Sequence, residues 1–200
     1  MSERIKIAEE VFRKTNGILR TSQAQKYGID PKILSRMVKA GILIKEGRGL
    51  YRLASLSPMS NPDLVLVSMR VSFGVICLIS ALSYHDITTQ MPYKVYIAIP
   101  RNETKPRIDY PPIDVVRLSG NSYREGIENH LIDGVNVAIY CKEKTIADCF
   151  KFRKKIGQKI AIEALKEYLG KSGNDIDKLM YYARVNRVGN VIRPYIEAII

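Results

Sequence analysis

Apolar positions recur with two different periods along this chain, and the changes of period mark its elements. In "IKIAEEVFRKTNG" the apolar residues Ile7, Val11 and Phe12 share one side of a helix that Asn16-Gly17 closes. "TSQAQKYG" predicts a second, short helix capped by Thr21 or Ser22 and ending at Tyr27-Gly28. Asp30 caps a third, with Pro31 at its first position and Leu34, Met37 and Val38 as its inward stripe. The period then shortens to two. In "GILIKEGRGLYRL", Ile42 and Ile44 alternate with Leu43 and Lys45, Glu46 to Gly49 turns the chain, and Leu50, Tyr51 and Leu53 return. Three short helices followed by a β-hairpin predict a winged helix-turn-helix over residues 1–54.

Periodicity lapses in "ASLSPMSNPD", where Ser and Pro cluster, and this predicts a boundary. Asn61-Pro62 opens a helix over "PDLVLVSMRVS". "GVICLISALSYHDI" is apolar almost all round and reads as one buried helix. "YKVYIAIP", "DVVRLS" and "NVAIYC" are short runs rich in β-branched residues and read as strands. From Glu143 onward the period is helical, through "EKTIADCFKFRKKI", "QKIAIEALKEYLGK", "DIDKLMYYARVN" and "VIRPYIEAII". The expected fold class is α/β (α+β): the winged helix, then a larger α/β domain over 62–200 with a helical C-terminal end.

Charge sharpens this division. The net charge is +12, and residues 1–53 carry twelve Lys and Arg against five Asp and Glu. More than half the excess thus sits in about a quarter of the chain, a field suited to a polyanion, nucleic acid first. In the third helix Lys32, Ser35, Arg36 and Lys39 are spaced i, i+3, i+4, i+7, so they share the face opposite the apolar stripe. That face suits a DNA major groove, and Lys45 and Arg48 near the hairpin tip suit phosphate or an adjacent minor groove. The expected partner is double-stranded DNA. No window approaches the apolar length of a membrane span, and the first residues lack the apolar centre of a secretory signal. Cys77, Cys141 and Cys149 are scattered and odd in number, as in a reducing cytoplasm.

The pairing of "LRTSQAQKYGIDPKILSRMVKAGILIKEGRGLYRL" with "SALSYHDITTQMPYKVYIAIPRN" resembles the AbiEi antitoxins of type IV, abortive-infection toxin–antitoxin systems. "EKTIADCFKFRKKIGQKIAIEALKEYL" resembles the C-terminal domain of that family. The resemblance implies a repressor that binds inverted repeats in its own promoter and counteracts a nucleotidyltransferase-like toxin, directly or functionally. It carries DNA contact onto Lys32, Ser35, Arg36, Lys39, Lys45 and Arg48, and phosphate contact onto Thr21 and Ser22. A second reading, a winged-helix regulator that senses a small ligand and has no toxin partner, stays open at this point.

Enzyme chemistry finds no footing in the pattern, and no cofactor is expected. His85 and His130 lie in different elements without paired ligand spacing, and Cys141 and Cys149 form no metal motif. The sequence contains no GxGxxG, P-loop or GxSxG. A cationic run, Lys151, Arg153, Lys154, Lys155 and Lys159, reads either as a solvated helix end or as a surface for an acidic partner.

Overall fold

In the computed structural model, residues 3–200 are described, and the chain divides into two compact units. The first runs to Met69 and includes Leu131–Asn136. The second comprises Arg70–His130 and Val137–Ile200.

The first unit is a winged helix. Helix α1 (Glu3–Lys14) leads through β1 (Ile18–Arg20) into α2 (Thr21–Lys26) and α3 (Pro31–Lys39). Strands β2 (Leu43–Gly47) and β3 (Leu50–Leu53) form the wing, and α4 (Pro62–Arg70) follows. Phe12, Ala24, Leu34 and Met37 are wholly buried at its centre. Ile7 departs from expectation: it is 55 % exposed. Ala8 and Phe12, one turn apart, take the inward face, and Ile7 stands roughly 100° round the helix from Ala8.

The cap of α2 is also one residue earlier than the sequence suggests. Arg20 is the extended N-cap residue, and the Gln23 side chain accepts from its backbone N–H at 2.8 Å. Thr21 and Ser22 are therefore the first helical residues and not caps. Asp30 does cap α3, accepting from Lys32 N at 2.7 Å, with Pro31 at the first position. Strand β1 was hidden because three residues cannot show a period. It pairs antiparallel with β3, giving a three-stranded sheet in the order β1-β3-β2.

Behind the wing, Ile18, Leu50 and Leu66 make a small buried cluster joined by Met59, Met69 and Val135. The Leu131–Asn136 tip is fixed within this unit by polar contacts as well. The Asp133 carboxylate accepts from Ser60 N at 2.9 Å, and Gly134 O accepts from Asn16 Nδ2 at 3.0 Å.

The second unit opens with β4 (Val75–Ile76), α5 (Leu78–Tyr84), β5 (Val95–Pro100), β6 (Ile113–Leu118) and the short α6 (Asn121–Arg124). Next come β7 (Ile127–Ile132) and β8 (Val135–Tyr140), a hairpin whose tip belongs to the first unit. The helical end is α7 (Lys142–Lys151), α8 (Arg153–Ile156), α9 (Gln158–Leu169), α10 (Ile176–Val185) and α11 (Gly189–Ile199). The sheet order is β6-β5-β4-β8-β7, with β5 parallel to β6 and antiparallel to β4. Its core joins Cys77, Leu78, Leu82 and Tyr140 to Ile146, Phe150, Leu165, Leu179 and Ile192 from the helices.

Two expectations fail here. "GVICLISALSYHDI" is not one helix: Val75-Ile76 form a strand, Cys77 is an extended cap, and Leu78 begins α5 at φ +49. An all-apolar run buried on every side has no period to tell strand from helix. "EKTIADCFKFRKKI" breaks at Phe152 into α7 and α8. Strand β7, "IENHLI", leaves no strand signal in the sequence because its polar residues mask the alternation.

Helix α7 carries a buried ion pair. Lys144 Nζ lies 2.6 Å from both oxygens of Asp148, and 4.1 Å from the centre of the Tyr140 ring. Asn186 Nδ2 donates to the same carboxylate at 2.7 Å. Gly126, at φ +77, makes room for this pair, because a Cβ there would stand 2.7 Å from that of Lys144.

Candidate nucleic-acid interface

Helix α3 stands out by its two faces. Leu34 and Met37 are wholly buried, whereas Lys32, Ser35, Arg36 and Lys39 are all exposed on the opposite side. The four expected residues therefore share one solvent-facing surface. The Asp30 cap and Pro31 fix where α3 starts, and hence which residues its first turns present.

The wing is built around a residue that the periodicity of the sequence does not single out. Arg52, on β3, is only 6 % exposed. Its Nε lies 2.6 Å from Glu46 Oε1, and its Nη1 donates to the carbonyls of Leu53 at 3.1 Å and Leu56 at 2.7 Å. One guanidinium thus ties β2 to the chain leaving β3, and it neutralises the carboxylate of the wing. Glu46 sits at a register shift between Lys45 and Gly47, an irregularity that lets one β2 residue fall out of the ladder. A signal existed: Arg52 shares its strand face with Leu50, an inward place for a charge.

Lys45 and Arg48 are exposed, as expected of the wing, on either side of this anchored stretch. Thr21 is half-buried. Its N–H donates to Gly49 O at 2.8 Å and its hydroxyl to the same atom at 3.3 Å. The start of α2 is thereby bonded to the wing turn, and Ser22 beside it is exposed.

The structure divides the cationic run of the second unit among several tasks. Lys151 Nζ reaches Ser122 Oγ at 3.4 Å, Arg153 donates to Phe150 O at 2.7 Å, and Lys155 pairs with Asp114 at 2.5 Å. Lys159 sits 3.6 Å from Glu163 on its own helix. Lys154 is exposed.

Both histidines converge, although they lie far apart in sequence. Their ring centres are 6.1 Å apart, with Tyr84 against each. His85 Nε2 lies 2.7 Å from Tyr140 O, and burial depresses its proton affinity. Among the described residues no group of three or more His, Cys, Asp or Glu is placed to hold a metal ion. All three cysteines are buried and free, and burial raises each thiol pKa. Among the described residues no helix is long and apolar enough to cross a membrane.

Residues 6–54 match the family model described as the AbiEi antitoxin, a transcriptional regulator. The fold is similar to that of the Rv2827c protein from Mycobacterium tuberculosis, with a TM-score of 0.57 at 12 % identity. That alignment covers 98 % of this chain and 81 % of the other. No curated protein sequence matches the chain.

Proposed function

We propose that this chain, an AbiEi-type antitoxin regulator over residues 6–54, represses its own operon and counteracts a nucleotidyltransferase-like toxin. The observation that carries the reading is the coincidence of that match with a basic, solvent-facing α3 backed by a buried apolar stripe.

On this reading α3 enters the major groove. Arg36 and Ser35 address base edges, while Lys32 and Lys39 meet the flanking phosphates. Lys45 and Arg48 carry the wing onto the neighbouring backbone, and Ser22 contacts phosphate from the start of α2. Thr21 acts chiefly through its bonds to Gly49, which hold α2 and the wing in fixed register. Inverted repeats present the same half-site twice, so two copies of the chain occupy one operator. No membrane enters this scheme, and the site of action is the cytoplasm.

The test uses the full-length chain and the DNA upstream of its gene. Specific, salt-dependent binding is expected, and the R36A/K39A double variant should lose it while melting at an unchanged temperature. Equally tight binding by that variant overturns the DNA assignment. Co-expression with a neighbouring nucleotidyltransferase-like gene tests antitoxicity. Growth arrest unrelieved by the intact chain defeats that half of the reading.

A further inference from the structure

Strands β5 and β6 run parallel and in register, ending together at the pair Pro100 and Leu118. In open α/β sheets the crevice beyond the carboxyl ends of such strands is where ligands settle, since two loops diverge there. Here the loops leave a cleft of about 390 Å³, within the range of small-ligand sites.

Its chemistry is asymmetric. Arg101 follows directly on β5, and Arg124 closes α6 beyond β6. Both line the cleft and both are exposed. Among the described residues neither guanidinium has a hydrogen-bond or ion-pair partner, and no carboxylate lines the cleft itself. The negative charge beside its wall is Glu103, in the turn with Arg101, which adds to burial in raising the Tyr123 hydroxyl pKa. Two guanidiniums without a paired carboxylate on one small concavity outweigh the single Glu103 and favour an anion, and their planar forks suit phosphate oxygens. Asn102 and Ser119 add neutral polar groups to the rim.

The wall is different. The Tyr123 ring is held by its hydroxyl, which donates to Phe73 O at 2.6 Å, so the ring face is fixed rather than free to swing. A held aromatic beside two arginines offers a stacking surface to a planar base. Gly120 turns the chain here at φ +55, ψ −137, a conformation open almost only to glycine, and a Cβ on it would meet nothing within 4 Å. The backbone is therefore approachable at that point.

We propose that this cleft binds a nucleoside phosphate, with Arg101 and Arg124 on the phosphates and the base against Tyr123. The site lies wholly within the second unit and is independent of the DNA-reading proposal.

The test is calorimetric titration of the full-length protein at low salt with ATP, adenosine and inorganic phosphate. ATP should bind saturably at one site per chain. Phosphate should compete, and adenosine should bind at least about tenfold more weakly, as loss of the charged contacts requires. The R101A/R124A variant should lose ATP at least about tenfold, while R117A, which removes an exposed arginine outside the cleft, should not. Thermal melting of both variants confirms that they remain folded. Absence of saturable ATP binding, or equal binding by R101A/R124A, overturns the site. If R101A/R124A weakens duplex DNA binding and wild type takes up no ATP, the arginines serve DNA and the proposal also fails.

Discussion

Arg52 Nε and Glu46 Oε1 stand 2.6 Å apart, across a hairpin whose tip carries the exposed cations Lys45 and Arg48. The arginine side chain of this pair is 7 % exposed and the glutamate side chain 21 %. Removing the arginine leaves a partly buried carboxylate unpaired and takes a donor from the carbonyls of Leu53, Leu56 and Ser57. R52A should destabilise the first unit by about 3 kcal/mol, the range for breaking one side of a buried pair. E46Q, which keeps an acceptor oxygen, should cost less than half of that. Chemical denaturation monitored by circular dichroism reads both, and an R52A melt equal to wild type would show that the clamp is idle.

If α3 lies in the major groove, its residues separate by salt dependence. Lys39 is assigned to phosphate, so K39A should lower the salt slope of operator binding by about one unit, with equal losses on cognate and random DNA. Arg36 is assigned to a base edge, so R36A should cost about 1–3 kcal/mol on the operator alone. Fluorescence anisotropy over a range of salt concentrations distinguishes them. Identical slopes and identical selectivity for the two variants would contradict the assignment.

The Lys144–Asp148 pair offers a double-mutant cycle. K144M strands a carboxylate among apolar side chains and should cost about 3–5 kcal/mol. D148L strands the ammonium to a similar degree. The combined variant should recover most of the loss, because both charges are then gone. Additive losses measured by denaturant titration would show that the two residues do not depend on one another. G126A, which drives a Cβ against Lys144 from a left-handed backbone, should also destabilise the second unit.

Stability should fall on the acid side for identifiable reasons. Burial works to raise the Asp114 pKa, but hydrogen bonds from Lys155 and Lys94 outweigh it and hold the carboxyl below its ordinary 3.8. Glu143 is likewise held below 4.5, with Lys178 and Tyr168 overcoming its burial. A carboxyl whose folded pKa is depressed contributes stability above its unfolded pKa and loses it as pH falls through the folded value. D114N should therefore flatten the loss of stability below about pH 4 and lower the plateau near neutrality. A pH series of thermal melts with an unchanged acid limb would rule this out.

Much of this was legible in the sequence, and the failures share a cause. The Asp30 cap, the Leu34–Met37 stripe and the polar face of α3 each leave a local, periodic trace, and the structure places all three as read. The strand β4, hidden inside "GVICL", left none, since burial on both sides erases alternation. Arg52 is harder still. Its partner is Glu46, six residues away, but the geometry depends on a register shift that composition cannot announce. The meeting of His85 with His130 depends on distant segments folding together. The Arg101 and Arg124 cleft is of the same kind: each arginine is ordinary in its own segment, and only parallel pairing of β5 with β6 brings them to one concavity.

The cluster of Ile18, Leu50 and Leu66 bears on how the winged helix could be inherited. A recombination event that moved only residues 1–54 would carry away Ile18 and Leu50 and leave behind Leu66, Met59, Met69 and Val135, which cover them. The transplanted piece would arrive with an uncovered greasy patch behind its wing, prone to sticking to itself. The winged helix is therefore no freely portable cassette, and if α3 reads an operator as proposed, a change in that preference is more accessible by point substitution on α3 than by exchange of the whole module.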